Sequence, residues 1–521
     1  MKKSLFAIIL FSLATCCSQA QTKVFKEIGE DMSMQMSAIL QDGSLVGYLA
    51  FTQLERASAD SFNYKITIMD ENLNDIGTIK FREQKLILKA VCLEQDVLCV
   101  AYLKSNFIGA AFNNSKESKN GIANAKFYIS TQFLSLDGKI LKTNSIKTDA
   151  KTDLFYTTNK KSEGMAKLKY DVQLRNLPQK GFACFYGDET RSNLVVFSST
   201  GKQLWLKQIK EDAEGFNLLT SGADVYLLLK KKDAMLQGGF ELLGYNTKDS
   251  TTFPKYVLKD KKGNSLRPLT FENDPSTGKP YISGTIIDQR NGNQFLNANQ
   301  LTKGTYSGLF TIDLNGHKKG DIHENFSYWD DGSQSMMNAK GRFNQNKTYA
   351  CFASSFKDFQ GNTFFVGSSM VHKVKWVAVG FTIITLPLII VPVGILGLAG
   401  SQKAKLDDAI LVKQNNKGAI TFDNSVHAES TGYYRGMVPM VLYDNRSFYT
   451  VTNPETKTDY LVVDDVKNIT IYNVTQKKVA RTVPHKDGNL HITVYPAKEG
   501  HLMVSEYNKK EKYTRFSIES L

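Results

Sequence analysis

Four stretches of this chain repeat one pattern, an apolar strand, a polar turn with glycine and a second strand: FLSLDGKIL (133–141), VVFSSTGKQLWL (195–206), LFTIDLNGHKKG (309–320) and AILVKQNNKGAITF (409–422). Gly138, Gly201, Gly316 and Gly418 take the turn, where a positive φ costs glycine little. MDENLNDIG, from Met69 to Gly77, fills the same place in an earlier unit. A chain of 521 residues would ordinarily divide into two to four domains, but closed β-repeat folds exceed that expectation.

Upstream of each hairpin lies another pair of strands, so the unit grows to four. The clearest set is LILKAVCLE, DVLCVAYLK, AKFYISTQFLSLDG and KILKTNSIK, between Leu86 and Lys147, rich in β-branched and aromatic residues with period-two alternation. Similar quartets fall at about 33–82, 168–209, 215–259, 266–329, 341–426 and 437–484. The tail supplies three strands, LHITVYPAKE, GHLMVSEYN and KYTRFSIES, and the fourth is expected from TKVFKEI at 22–28. Four-stranded units in such number resemble the β-propeller superfamily. The likeness is in repeat logic alone, since there is no GH and WD pair at a forty-residue period and no kelch double glycine. The chain is also similar to exported, uncharacterised bacterial proteins of about this length, which implies no known activity. The expected fold class is all-β: a single propeller of about eight blades over 21–521, with seven as the alternative, its ring closed by the N-terminal strand. A pair of sandwich domains is the runner-up.

The first 20 residues have Lys2 and Lys3, an apolar stretch from Leu5 to Ala14, and small residues at Ser18 and Ala20, as in a secretory signal peptide. Leu13-Ala14-Thr15-Cys16 also resembles a lipoprotein cleavage box, although Thr15 departs from the usual small residue. Removing residues 1–20 takes two lysines and no acid from 65 basic and 51 acidic side chains, leaving +12. That sign suits anionic envelope polymers or lipid headgroups, or merely a solubilising surface. No zinc-finger spacing, aromatic RNA-binding signature or basic helix points to nucleic acid. In VCLEQDVLC a two-residue turn at Gln95-Asp96 would set Cys92 opposite Cys99, close enough for a disulfide in an oxidising compartment. Buried free thiols are the other reading for this pair, and core positions are expected for Cys184 and Cys351.

WVAVGFTIITLPLIIVPVGILGLAG, residues 376–400, has no charge. It lies within an insertion at 371–406 between KTYACFASSF (347–356), read as the second strand of a blade, and DAILVKQNN (408–416), read as the third. Both strands must pair in one sheet, so both ends of the insertion return to one side. Length alone would allow a span, at roughly 37 Å of helix against a core of roughly 30 Å. Pro387 and Pro392 argue for a break in the middle and a helical hairpin. Trp376 sits where an interfacial anchor would, with Lys373 and Lys375 before the run and Lys403 and Lys405 after it. A membrane-dipping hairpin, a transmembrane helix and a hairpin buried against protein therefore compete. The contact residues would be Trp376, Phe381, Leu386, Pro387, Ile390, Pro392 and Leu396, with the four lysines at the lipid surface or on a hydrophobic protein partner. Segments 104–126 and 289–306 occupy corresponding places, so all three are expected on one binding face.

Catalytic signatures do not emerge. There is no GxSxG elbow, HExxH helix, P-loop or dinucleotide glycine motif, and no cofactor is implied. Asp70, Asn72 and Asn74 imitate a calcium loop, but Asp75 stands where glycine is needed and Phe81 where glutamate is. His485, His491 and His501 match no common zinc spacing, and the pairs Asp330-Asp331 and Asp464-Asp465 are adjacent rather than opposed across a cleft. The function expected is binding or scaffolding in the cell envelope. The alternatives are a hydrolase of envelope polysaccharide and a single-span structural protein.

Overall fold

The computed structural model describes residues 21–26, 33–58, 61–156, 162–232, 239–249, 251–287, 306–329, 336–338, 341–344, 347–374, 402–431 and 446–521. Among them are eight four-stranded units, seven with strands in sequential order and the eighth completed by the N-terminal strand. Blades 1 to 7 occupy 33–83, 85–148, 170–209, 213–257, 265–328, 349–426 and 447–484. Blade 8 is built from Leu490–Pro496, His501–Asn508 and Tyr513–Ser520, with Gln21–Lys26 as its outermost strand. Gln21 pairs with Ile518 and Lys26 with Tyr513, so the two ends of the chain share one sheet.

Among the described residues the core divides into one large cluster at each of the eight junctions between neighbouring blades, including Tyr48, Ala50 and Met69 of blade 1 against Met503, Phe516 and Ile518 of blade 8, and a small ninth of Cys351, Met370 and Leu406 in blade 6. The junction of blades 1 and 8 closes the ring. Strand periodicity explains the arrangement, because successive side chains point to opposite faces and each face of a blade meets a different neighbour. In Gly181–Gly187, Phe182, Cys184 and Tyr186 enter the junction with blade 2, whereas Ala183 and Phe185 enter that with blade 4. Middle strands are thus apolar throughout, whereas outer ones such as Lys478–Pro484 are almost wholly exposed.

One turn recurs. At Asp70, Ser135, Ser198, Asp260, Asp358 and Asn415 a side-chain oxygen accepts the backbone N–H four residues on, at 2.7 to 3.1 Å. The residue three positions on has positive φ: Leu73, Gly138, Gly201, Gly263, Gly361 and Gly418. The calcium-like residues are thus turn formers, with Asp70 Oδ1 accepting from the amides of Asn72 and Asn74. Gly316 departs from the expectation: it is absent from the positive-φ glycines, and its longer loop ends in a 3-10 turn at Lys319–Asp321.

Alternation of strand direction gives the ring two unlike ends. At one, the connectors between first and second and between third and fourth strands run to at most nine residues (247–255). At the other lie 106–126, 149–169, 288–307, 329–348, 375–401 and 427–446. One strand assignment is corrected in blade 6. Tyr349–Lys357 is its first strand, and the second is Thr363–Val374, whose start was hidden by the Asp358–Gly361 turn and whose end runs into the apolar segment. The insertion still falls between second and third strands.

Candidate functional site

The loop-bearing end is built on blade 6. Thr363–Val374 and Gln402–Gln414 outrun their neighbours as a two-stranded ribbon, pairing Val371 with Lys405, Lys373 with Lys403 and Val374 with Gln402. The insertion therefore leaves and re-enters through adjacent residues, as the blade register demands. Lys405 is held by Asp407 at 3.2 Å. Lys375, Trp376, Phe381, Leu386, Pro387, Ile390, Pro392 and Leu396 lie outside the described residues, as does the expected signal segment 1–20. Among the described residues no helix is long and apolar enough to cross a membrane.

Buried Arg446 pins the base of this ribbon. Its Nη1 donates to Ser368 Oγ at 2.7 Å and to the Asp407 carbonyl, and its Nη2 donates to the Glu429 carbonyl at 2.8 Å. Burial draws its pKa down, opposed by the charges of Asp465, Asp408 and Asp407. Thr431 adds a second pin, with its N–H donating to the Leu406 carbonyl and its Oγ1 accepting from the Leu406 N–H at 2.9 Å.

Beside Arg446, at the loop-bearing ends of the inner strands of blades 5, 6 and 7, is a cavity of about 220 Å³. Its wall includes Arg267, Tyr306, Leu269, Phe352 and Phe448. Arg267 Nη1 donates to Tyr306 Oη at 3.0 Å. Cys351 lies in the same wall, its thiol pushed up to about 12 by burial, with Arg267 pulling the other way. A search for carboxylate pairs and metal spacings passes over these arginines, since each stands alone in its segment; the sequence signal was a cation at the head of an inner strand.

A second feature at this end was also missed. Lys151–Tyr156 pairs with Ser162–Lys167, which pairs in turn with Ala111–Phe112. The helix Ser115–Ala123 packs on this hairpin, with Ser118 Oγ 3.1 Å from Ser162 Oγ and Asn114 as its cap. Leu154 and Ala166 turn inward against the core, while Phe155, Tyr156 and Met165 are 58%, 75% and 51% exposed.

The other candidates resolve into structure. Cys92 faces Cys99 across the strands in the expected register, and both are buried free thiols, the second of the two readings for this pair. Cys92 Sγ instead lies 3.4 Å from the Leu40 carbonyl. Cys184 and Cys351 are core residues. His485 Nε2 lies 2.8 Å from Asp464 Oδ1, and Asp465 Oδ1 accepts from the amides of Lys467 and Asn468, so the second acidic pair splits between an interstrand contact and a turn. No group of three metal-ligating side chains forms among the described residues, and Asp330-Asp331 lies outside them.

A family model described as a family of unknown function (DUF6770) matches residues 1–521. The chain belongs to this family. Among curated proteins nothing matches. Of solved structures, the DUF6770 chain is similar to the Dos1 propeller, at 8% identity over 95% of this chain and 94% of that one, with a TM-score of 0.41. It is similar to the quinohemoprotein alcohol dehydrogenase ADHIIG of Pseudomonas putida HK5, at 10% identity, 95% and 78% coverage and a TM-score of 0.40. The propeller domain of the trilobed protease of Pyrococcus furiosus gives 10% identity, 83% and 95% coverage and a TM-score of 0.35. The eight-blade architecture of the DUF6770 chain rests on its own sheets and junctions.

Proposed function

We propose that this DUF6770 protein is an exported binding or scaffold protein of the cell envelope, acting through the loop-bearing end of its propeller. The segment 376–400 attaches it there to a membrane or to a hydrophobic partner. The observation that supports this reading is the convergence at one end of every long connector, the paired ends of the insertion at Val374 and Gln402, and the cavity at Arg267. A binding role fits the cavity wall better than hydrolysis does, because its described polar groups are guanidinium, phenol and hydroxyl rather than opposed carboxylates. The positive balance and the exposed Phe155, Tyr156 and Met165 suit a surface that meets anionic or apolar material.

The test is flotation of the mature chain, residues 21–521, with vesicles of phosphatidylcholine and phosphatidylglycerol. Migration with the vesicles supports membrane attachment. Failure to migrate at any lipid composition, together with release from native envelopes by salt alone, overturns attachment through an apolar segment.

A further inference from the structure

Arg267 stands out from the other cations at the loop-bearing end. It projects from the inner strand Ser265–Asn273, half-buried, and its one hydrogen bond among the described residues is to a neutral phenol, Tyr306. No carboxylate pairs with it among the described residues. Its neighbour Arg446 is different, having committed both terminal nitrogens to Ser368, Asp407 and Glu429. The cavity thus meets two guanidiniums: Arg446, whose terminal nitrogens are taken by a hydroxyl and two backbone carbonyls, and Arg267, which keeps donors that meet no carboxylate of the described residues, against walls of Leu269, Phe352 and Phe448. A cation partly removed from water beside apolar groups is costly unless an anion meets it, and a guanidinium edge matches a carboxylate with two parallel hydrogen bonds.

We propose that this cavity is a binding site for a small carboxylic acid with an apolar body, aromatic or branched aliphatic, its carboxylate on Arg267 and its body against Phe352 and Phe448. Size and charge set the class. A dry cavity of about 150 Å³ takes benzene, so 220 Å³ accommodates a ring or short branched chain together with a carboxylate. One guanidinium with donors to spare suits a carboxylate, whereas a phosphate dianion would require further donors. Tyr306, at the end of the 288–307 connector, holds the guanidinium in place from outside the strand. The site names the ligand class of the binding function proposed above and rests on that reading only for its biological setting.

Titration calorimetry of the mature chain with benzoate, phenylacetate and isovalerate tests the proposal, with benzyl alcohol as the neutral counterpart of benzoate. At least one acid is expected to saturate at one equivalent and benzyl alcohol to bind at least tenfold more weakly. Arg267→Gln should weaken the acid at least tenfold, with Arg267→Lys between the two, near-ultraviolet circular dichroism confirming that each is folded. Unchanged acid binding in Arg267→Gln, equal binding of benzyl alcohol, or no saturation by any of the three acids would overturn the site. Arg267→Gln is expected to float with vesicles like the unsubstituted protein. A mature chain that floats but binds none of the acids therefore counts against the site alone, and one that binds an acid without floating counts against membrane attachment alone.

Discussion

Turn residues carry much of the information that registers each blade. Gly201, at φ +76, approaches the neighbouring blade so closely that an added Cβ would lie 2.6 Å from the Phe133 ring. Gly201→Ala combines backbone strain with overpacking, and a loss of about 1–3 kcal/mol in urea unfolding is expected. Leu73 takes the equivalent turn position with φ 68, held there because its side chain is buried between blades 1 and 8. Sequence reading places a glycine in this role and finds Gly77 nearby. Gly77 instead lies in a strand, where a Cβ would be 2.3 Å from the Leu136 carbonyl of blade 2. Composition can mark a turn, but not which residue burial forces into a left-handed conformation.

Asp459 supplies a pH dependence. Its carboxyl is 3% exposed, and Oδ1 has no hydrogen-bond partner among the described residues. Burial, then the charge of Asp358, pushes its pKa up to about 7, against the opposing hydroxyl of Thr452. The folded state therefore holds the proton more tightly than the unfolded chain. Stability from this group is full below about pH 4 and declines as pH rises to about 7. Each tenfold change in proton affinity is worth roughly 1.4 kcal/mol. Asp459→Asn should raise unfolding stability at pH 8 by about 2 kcal/mol, part of that strain being relieved in the parent as water and backbone adjust around the ionised carboxylate. At pH 4 it should give little gain. Urea titrations at the two pH values measure the difference.

Strands were legible where their surroundings are simple. The apolar runs of the middle strands and the repeated turns marked seven quartets, because both faces of each middle strand are buried in neighbouring junctions. The closing strand was legible from the three-strand tail, and Gln21–Lys26 fills that place with Phe25 edge-on to Phe516 at 5.8 Å. Phe25→Ala should cost about 1–2 kcal/mol, less than a fully buried phenylalanine because the ring is half-exposed; thermal unfolding of the mature chain checks it. The hairpin 151–167 was not legible. Its charged outer face and exposed Phe155 and Met165 give no core-facing stripe, since the inward positions are shared between the apolar Leu154 and Ala166 and the small Ser162 and Gly164. The arginine cavity was equally hidden, being assembled from three blades whose segments are up to 181 residues apart, from Arg267 to Phe448.

For the whole molecule, the ring's two ends bear on the proposed attachment. Gln21 enters blade 8 at the end opposite the insertion, paired with Ile518 near the C-terminus. A lipid on Cys16, five residues earlier, reaches at most about 17 Å, whereas an eight-residue strand such as Tyr513–Ser520 is about 26 Å long. A lipid there and the insertion therefore favour opposite ends toward one bilayer. If the loop-bearing end is the attached one, Cys16→Ala should leave the protein in the envelope fraction, as immunoblotting of fractionated cells would show.

The paired ends of the insertion permit a direct test. Replacing residues 376–400 by a short turn leaves Val374 opposite Gln402 and the Arg446 pin untouched. The measurement is cell fractionation of this variant beside the unaltered protein, with urea unfolding of both. The account predicts a variant that unfolds cooperatively within about 1 kcal/mol of the parent, the scale expected for a change outside the core, and that moves from the envelope to the soluble fraction. A variant that fails to fold would place the apolar segment in the core, and a folded variant still bound to the envelope would show that attachment lies elsewhere.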